Sequence, residues 1–415
     1  MFGSRASLRF AALVATTTAL PVAAQDAASV AEGAALGRIH FERAITLDDV
    51  PRRSASVSVA DFNSDGLLDI VLLNGRHWAE PNRIFFGEGG GAFAPATNLS
   101  EVEDCSYTGA VADFDGDGDL DIAVSNDKPD ASYILFNDGL GRFVVGGTFG
   151  QPEWSTRNIA VSDLDGDGSP DIVVANRGPL IGPSPNHVCF NDGAGRFTRP
   201  CLVFSAESAT TITPHDVDRD GLIDLIVPSR DGGQSHVYRS RSGTRIDVEP
   251  MPFGPPDASI RVALAADFDG DGLVDIVAIH TGNSEGGDGT VDRGRRDQGT
   301  VIYHGLRGGG FAEAVPITGS AETPYALAIA DLNGDGRVDI LVGHVEASSK
   351  VLINQGDRFE AIPLADSKGT TYGFATADLD RDGSLDIVVA KTDARSRVFF
   401  GSPAPMPSTS PAPPR

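Results

Sequence analysis

A chain of 415 residues with 40% hydrophobic content can bury a large core, and 49 glycines with 26 prolines imply many turns and few long helices. The formal charge of −25 argues against nucleic acid or an anionic membrane as the main partner, since both reward basic surfaces. A cationic partner is favoured instead.

The N-terminal residues 1–24 read as a secretory signal peptide. Arg5 and Arg9 precede the apolar run FAALVATTTALPVAA, and Val22 and Ala24 hold the small-residue positions of a cleavage site. Cleavage after Ala24 predicts an exported, periplasmic or extracellular protein that begins with a linker over residues 25–36. No later stretch approaches the roughly 20 continuous apolar residues of a membrane span. A soluble, monomeric product is expected.

The next segment, LGRIHFERAITL, looks like the second arm of a β-hairpin, yet no first arm precedes it. An acidic nonapeptide then recurs seven times: DFNSDGLLD at Asp61, DFDGDGDLD at Asp113, DLDGDGSPD at Asp163, DVDRDGLID at Asp216, DFDGDGLVD at Asp267, DLNGDGRVD at Asp331 and DLDRDGSLD at Asp378. Spacings of 47 to 64 residues mark a repeat architecture. Runs such as SVSVADF enter each motif and β-branched runs such as DIVLL leave it, so both flanks are strands. A third strand and a glycine hairpin follow in IFFGEGGGAF, ILFNDGLGRF and VCFNDGAGRF. Four short strands per repeat of about 50 residues predict an all-β fold, a seven-bladed β-propeller over residues 37–400. In blade four, VYRSRSGTRID stands where the clean hairpin is expected. The seventh repeat stops after RVFF in a proline-rich tail, residues 401–415, one strand short. The N-terminal segment would supply that strand and remove the open edge.

In every motif, positions 1, 5 and 9 are Asp, position 3 is Asp or Asn, and position 6 is Gly. The candidate metal ligands are therefore Asp61, Asn63, Asp65 and Asp69; Asp113, Asp115, Asp117 and Asp121; Asp163, Asp165, Asp167 and Asp171; Asp216, Asp218, Asp220 and Asp224; Asp267, Asp269, Asp271 and Asp275; Asp331, Asn333, Asp335 and Asp339; and Asp378, Asp380, Asp382 and Asp386. Hard oxygens at alternate positions of a tight loop suit Ca²⁺, which takes six to eight of them, better than the smaller and stricter Mg²⁺. Up to seven structural calcium ions are expected. Without metal, carboxylates about 4 Å apart repel by roughly 4 kcal/mol at an effective dielectric of 20. An EF-hand is excluded, because position 12 is an apolar strand residue such as Val124 or Val389, and no acidic ligand.

These repeats resemble the FG-GAP or VCBS repeats of integrin α-subunit propellers and of many exported bacterial proteins. The resemblance implies seven blades, with calcium between the first and second strands of each, on the face opposite the usual ligand-binding face. Six residues before each motif stand Ala55, Tyr107, Arg157, Thr210, Arg261, Tyr325 and Tyr372, which sevenfold geometry would bring towards the channel mouth. Tyr107, Arg157, Arg261, Tyr325 and Tyr372 are the candidate ligand-binding residues, against the plainer alternative that they fill the taper between blades. Trp78 and Trp154 fall in nearby loops. An insertion at residues 281–299 carries Arg293, Arg295 and Arg296, read either as a solvated loop or as a grip on an anion.

Cys189 and Cys201 flank a hairpin and are placed for a disulfide if the register allows, whereas Cys105 reads as a small buried residue. His40, His77, His187, His215, His236, His280 and His344 are scattered, with no Ser or Cys motif to mark a triad and no assigned catalytic residue. Two functions remain: an interaction module for protein or glycan, or a carbohydrate-active enzyme, a polysaccharide lyase or hydrolase, working at the channel mouth.

Overall fold

A computed structural model describes residues 39–178, 185–241, 245–246, 249–281, 298–317, 322–366 and 368–403, and every regular element among them is a β-strand. The segments read from sequence as signal peptide and linker, the core of the 281–299 insertion with its three arginines, and the tail from residue 404 lie outside the described residues.

Each repeat forms one four-stranded antiparallel unit, and those of blades one and seven are joined where Arg52 and Arg53 pair with Ala394 and Thr392. In blade two the strands Ser106–Ala112, Asp121–Asn126, Ser132–Asn137 and Phe143–Phe149 pair in that order, with the acidic motif as the turn between the first two. The second strands DIVLLN, DIAVSN and DIVVAN are buried at every position, which explains why they read as continuous apolar runs without alternation. Each sheet is sandwiched between two others. Seven apolar clusters result, one between each pair of neighbouring blades, and no single central core exists among the described residues.

The first strands, Arg52–Ala60, Ser106–Ala112, Thr156–Ser162, Thr213–His215, Ile260–Ala266, Pro324–Ala330 and Thr370–Ala377, touch one another in sequence, and the seventh touches the first. They form the innermost ring. The strand Ile39–Thr46 pairs antiparallel with Arg397–Pro403 as the outer strand of blade seven, and Ile39 sits in the apolar layer between blades six and seven. That last strand runs to Pro403, so the propeller extends into the segment read from sequence as the start of the tail.

Blade four keeps its four strands by a detour. Ser240–Arg241 and Arg245–Ile246 form a small separate hairpin, and Met251–Phe253 then returns as the outer strand against Ser235–Tyr238. In blade three a disulfide joins Cys189 to Cys201, one step beyond the Val188–Leu202 pair. Cys105 is half-buried and unbridged. Neighbouring blades are also tied by amides that the sequence did not advertise. Asn137, Asn191 and Asn354 each donate from Nδ2, at 2.8 Å, to the carbonyl of Phe62, Phe114 and Phe268 in another blade's acidic loop.

Candidate functional site

The seven acidic motifs fold alike. The carboxylate at position 1 accepts the N–H of the glycine at position 6, as Asp113 does from Gly118 at 3.1 Å, and position 5 accepts the N–H of position 7, as Asp117 does from Asp119 at 2.9 Å. Two residues per loop are left-handed. Position 6 is always Gly, but position 4 also has positive φ and is Gly only in four blades, with Ser64, Arg219 and Arg381 adopting φ of 58 to 63° in the others. At position 9 both carboxylate oxygens are occupied by backbone: Asp121 Oδ2 accepts from Phe114 N and Oδ1 from Asn137 N, both at 2.9 Å. This carboxylate therefore welds the loop to the third strand.

These groups converge. Oxygens of Asp113, Asp115 and Asp121 lie within 4.8 Å of one another, as do those of Asp163, Asp165 and Asp171, and of Asp216, Asp218 and Asp224. Burial, reinforced by the neighbouring carboxylates, pushes Asp69, Asp121, Asp171, Asp224 and Asp339 up to about 6 and Asp386 up to about 7. An all-oxygen, anionic donor set of this kind suits a hard divalent cation. The loops are not equivalent, however. Arg199 reaches Asp165 at 3.2 Å, Arg43 reaches Asp380 at 2.9 Å, and His304 Nδ1 reaches Asp269 at 3.2 Å and Asp275 at 3.4 Å. His304 was missed by sequence reasoning, because it lies just past the third strand, Gln298–Tyr303, and outside the motif.

The opposite face carries a pocket of about 200 Å³. First strands run from this face to the acidic loops, so residue 107 and residue 113 are separated by about 20 Å of extended chain. Ala55, Tyr107, Arg157, Thr210, Arg261, Tyr325 and Tyr372 all line it. Each of the three tyrosines carries an arginine on its ring. The Arg261 guanidinium stacks 3.4 Å from the Tyr325 ring centroid, Arg76 lies 4.0 Å from that of Tyr372, and Arg157 lies 4.7 Å from that of Tyr107. Tyr325 and Tyr372 share a hydroxyl hydrogen bond of 2.7 Å, and Arg261 Nε donates to the Tyr325 carbonyl at 2.8 Å. The tyrosines hold arginines in place.

Arg76 and Arg177 also line the pocket, and Arg230 stands beside it. These were not identified from sequence, where positions were counted back from the motif. Counting forward finds them, since each follows the second strand in NGR, ANR or PSR. Two carboxylates offset part of this charge. Asp127 receives Arg157 at 2.6 Å and Asp231 receives Arg177 at 2.8 Å. Although burial opposes it, hydrogen bonds from His77 and Arg157 hold the Asp127 carboxyl below its usual range. His77 in turn links Asp127, at 3.0 Å from Nδ1, to the Tyr107 hydroxyl, at 2.9 Å from Nε2. Trp78 is exposed beside His77, whereas Trp154 is stacked on His187 at 3.8 Å and serves packing.

A closed ring of seven blades with acidic turns on one face and a basic pocket on the other defines an all-β propeller. The FG-GAP-like repeat family matches residues 61–124, 113–174, 163–227, 216–278, 287–342 and 331–389, well over half of the chain, which therefore belongs to that family. No curated protein matches the chain. Two crystal structures of BBS1N in complex with ARL6DN, one soaked with mercury and one with lead, are similar in fold. Their TM-scores are 0.56 and 0.55, at 11% and 12% identity, covering 90% and 89% of this chain and 98% and 97% of theirs. At such identity the likeness is one of fold alone.

Proposed function

We propose that the protein is an exported calcium-binding β-propeller that acts as an interaction module, holding a protein or glycan at the pocket opposite its acidic loops. One observation carries this reading: seven equivalent positions, one per blade, converge on a single pocket, and their side chains differ from blade to blade while the acidic loops stay alike. Varied chemistry on a constant scaffold is how repeat proteins recognise partners. BBS1N, similar in fold, was crystallised with a protein partner. The carboxylates at positions 1, 5 and 9, with the carboxylate or amide oxygen at position 3, would hold calcium, whose charge offsets their repulsion and fastens the turn between the first two strands of each blade.

A glycan microarray and immobilised-protein binding, each repeated with Tyr107→Ala, Tyr325→Ala and Tyr372→Ala, test the assignment. Each substitution should weaken binding while calcium-dependent melting persists. Normal binding by all three, with loss of binding in a folded Asp117→Ala protein, would place the ligand on the calcium face and overturn it.

A second reading is favoured by the Asp127–His77–Tyr107 chain, which couples a carboxylate, an imidazole and a phenol within hydrogen-bond distance at the pocket. Such an array suits proton transfer in a carbohydrate-active enzyme. Depolymerisation of a polysaccharide panel, lost in His77→Gln, is the result that would select it.

A further inference from the structure

The pocket opposes the charge of the whole molecule. The chain carries −25, yet Arg76, Arg157, Arg177, Arg230 and Arg261 gather at or beside this one cavity. Asp127 and Asp231 offset Arg157 and Arg177. Among the described residues, no carboxylate lies within ion-pair reach of Arg76, Arg230 or Arg261. Three guanidinium charges are left over.

Several features show that this excess is built in. The Nε groups of Arg76 and Arg230 are buried and have no hydrogen-bond acceptor among the described residues. Arg76 adopts φ of 59°, a left-handed conformation that costs a non-glycine residue and is retained where surroundings enforce it. Tyr372 and Tyr325 brace Arg76 and Arg261 by their ring faces, which positions the cations without neutralising them. Burial and the nearness of Arg261 and Arg177 together lower the Arg230 guanidinium to about 10. Like charges converge here in a partly desolvated cavity, where an entering anion gains more than it would in water.

We propose that the pocket binds one acidic sugar unit, its oxyanion held by Arg76 and Arg261, with the charge of Arg230 added from beside the cavity, and its hydroxyls held by the polar wall. This rests on the reading of the channel mouth as the ligand site. Planar guanidinium forks match the geometry of carboxylate, sulfate or phosphate oxygens. The Thr108, Thr210 and Thr211 hydroxyls already donate to the Arg157 and Arg261 carbonyls, so the wall offers acceptors, chief among them Asn158 Oδ1, which is buried with no donor among the described residues; sugar hydroxyls can donate to it, whereas an unadorned carboxylate cannot. A cavity of about 200 Å³ admits a single ring and excludes the several residues a folded protein epitope would present.

The test is calorimetric titration of the mature, calcium-loaded chain at low ionic strength with glucuronate, glucose 6-phosphate, glucose 6-sulfate, glucose, inorganic phosphate and N-acetylglutamate. At least one acidic sugar should bind ten-fold or more tighter than glucose, and the preference should fall as salt rises. The tightest of the three identifies the oxyanion. Arg76→Gln and Arg261→Gln should each weaken binding about ten-fold or more. Arg358→Gln, an equal charge loss at an exposed site, should not, and calcium-dependent melting of each variant verifies folding. Glucose binding as well as the acidic sugars, with sensitivity to Tyr325→Ala, would leave the pocket reading standing and overturn the anion. Phosphate or N-acetylglutamate binding as tightly as any acidic sugar would overturn the sugar. Absence of binding by every anion refutes the proposal outright, while the microarray decides the pocket separately.

Discussion

Replacing Asp121 by Asn in blade two separates what calcium contributes from what the loop's hydrogen bonds contribute. Blade two is chosen because all four of its ligand positions are aspartate, and no basic side chain among the described residues approaches its Asp113, Asp115 or Asp121. Asp121 accepts two backbone N–H groups, from Phe114 and Asn137, and an amide has only one acceptor oxygen. One buried donor is left facing another, at a cost of about 1–3 kcal/mol. The same change removes a charge whose oxygens lie within 4.8 Å of those of Asp113 and Asp115. At that distance each pair repels by about 3.5 kcal/mol at an effective dielectric of 20, less after solvent and salt screening. Without calcium the two effects oppose and should nearly cancel. With calcium at 100 times its dissociation constant, the wild type gains about 2.7 kcal/mol at this site and the variant does not, so the variant should be about 2.7 kcal/mol less stable in calcium than it is in EGTA, relative to the wild type. Urea unfolding in calcium and in EGTA, at fixed protein concentration and pH 7.5, reads both. Equal destabilisation in the two buffers would refute the reasoning, as would a wild type whose midpoint ignores EGTA.

Deleting residues 25–46 should strip the outer strand of blade seven, uncover the edge of Arg397–Pro403 and cause aggregation by light scattering, whereas removing residues 404–415 should leave the melt unchanged; equal effects would contradict closure by this strand. Lys391→Met should cost about 3–5 kcal/mol in urea, because it removes the counter-charge of Asp366, whose side chain is fully buried 2.7 Å from the ammonium, and a further Asp366→Asn change, which removes the stranded charge and keeps an acceptor for Ser349, should recover part of the loss. His187 is buried against Trp154, which lowers its imidazole from the ordinary value to about 4. Below about 6.5 the unfolded chain binds a proton that the folded one refuses, so this residue's contribution is whole above pH 6.5 and falls by about 3 kcal/mol as pH drops to 4. His187→Phe should flatten the stability slope across that window by close to one proton, and an unchanged slope would show that the imidazole is not excluded from protonation.

The blade count, the strand order and the acidic loops were legible in the sequence because they are local. A strand, a nine-residue turn and a second strand are contiguous, and repetition makes each copy confirm the others. Even the convergence of residues 55, 107, 157, 210, 261, 325 and 372 followed from counting, since equivalent positions in a ring must face one another. What counting cannot supply is what happens between blades. The amide of Asn137 reaches Phe62 across 75 positions, and Arg76 lies against Tyr372 from the far side of ring closure. Blade four's detour through a second small hairpin depended on which segment could best pair with Ser235–Tyr238, a choice made by tertiary packing. The character of the pocket was decided in the same way. Tyrosines and arginines read singly from the chain were candidates for the channel mouth, but only packing shows that each ring carries a cation on its face. The outcome is a positive cavity in an acidic protein, because charge summed along a chain says nothing of where folding gathers it.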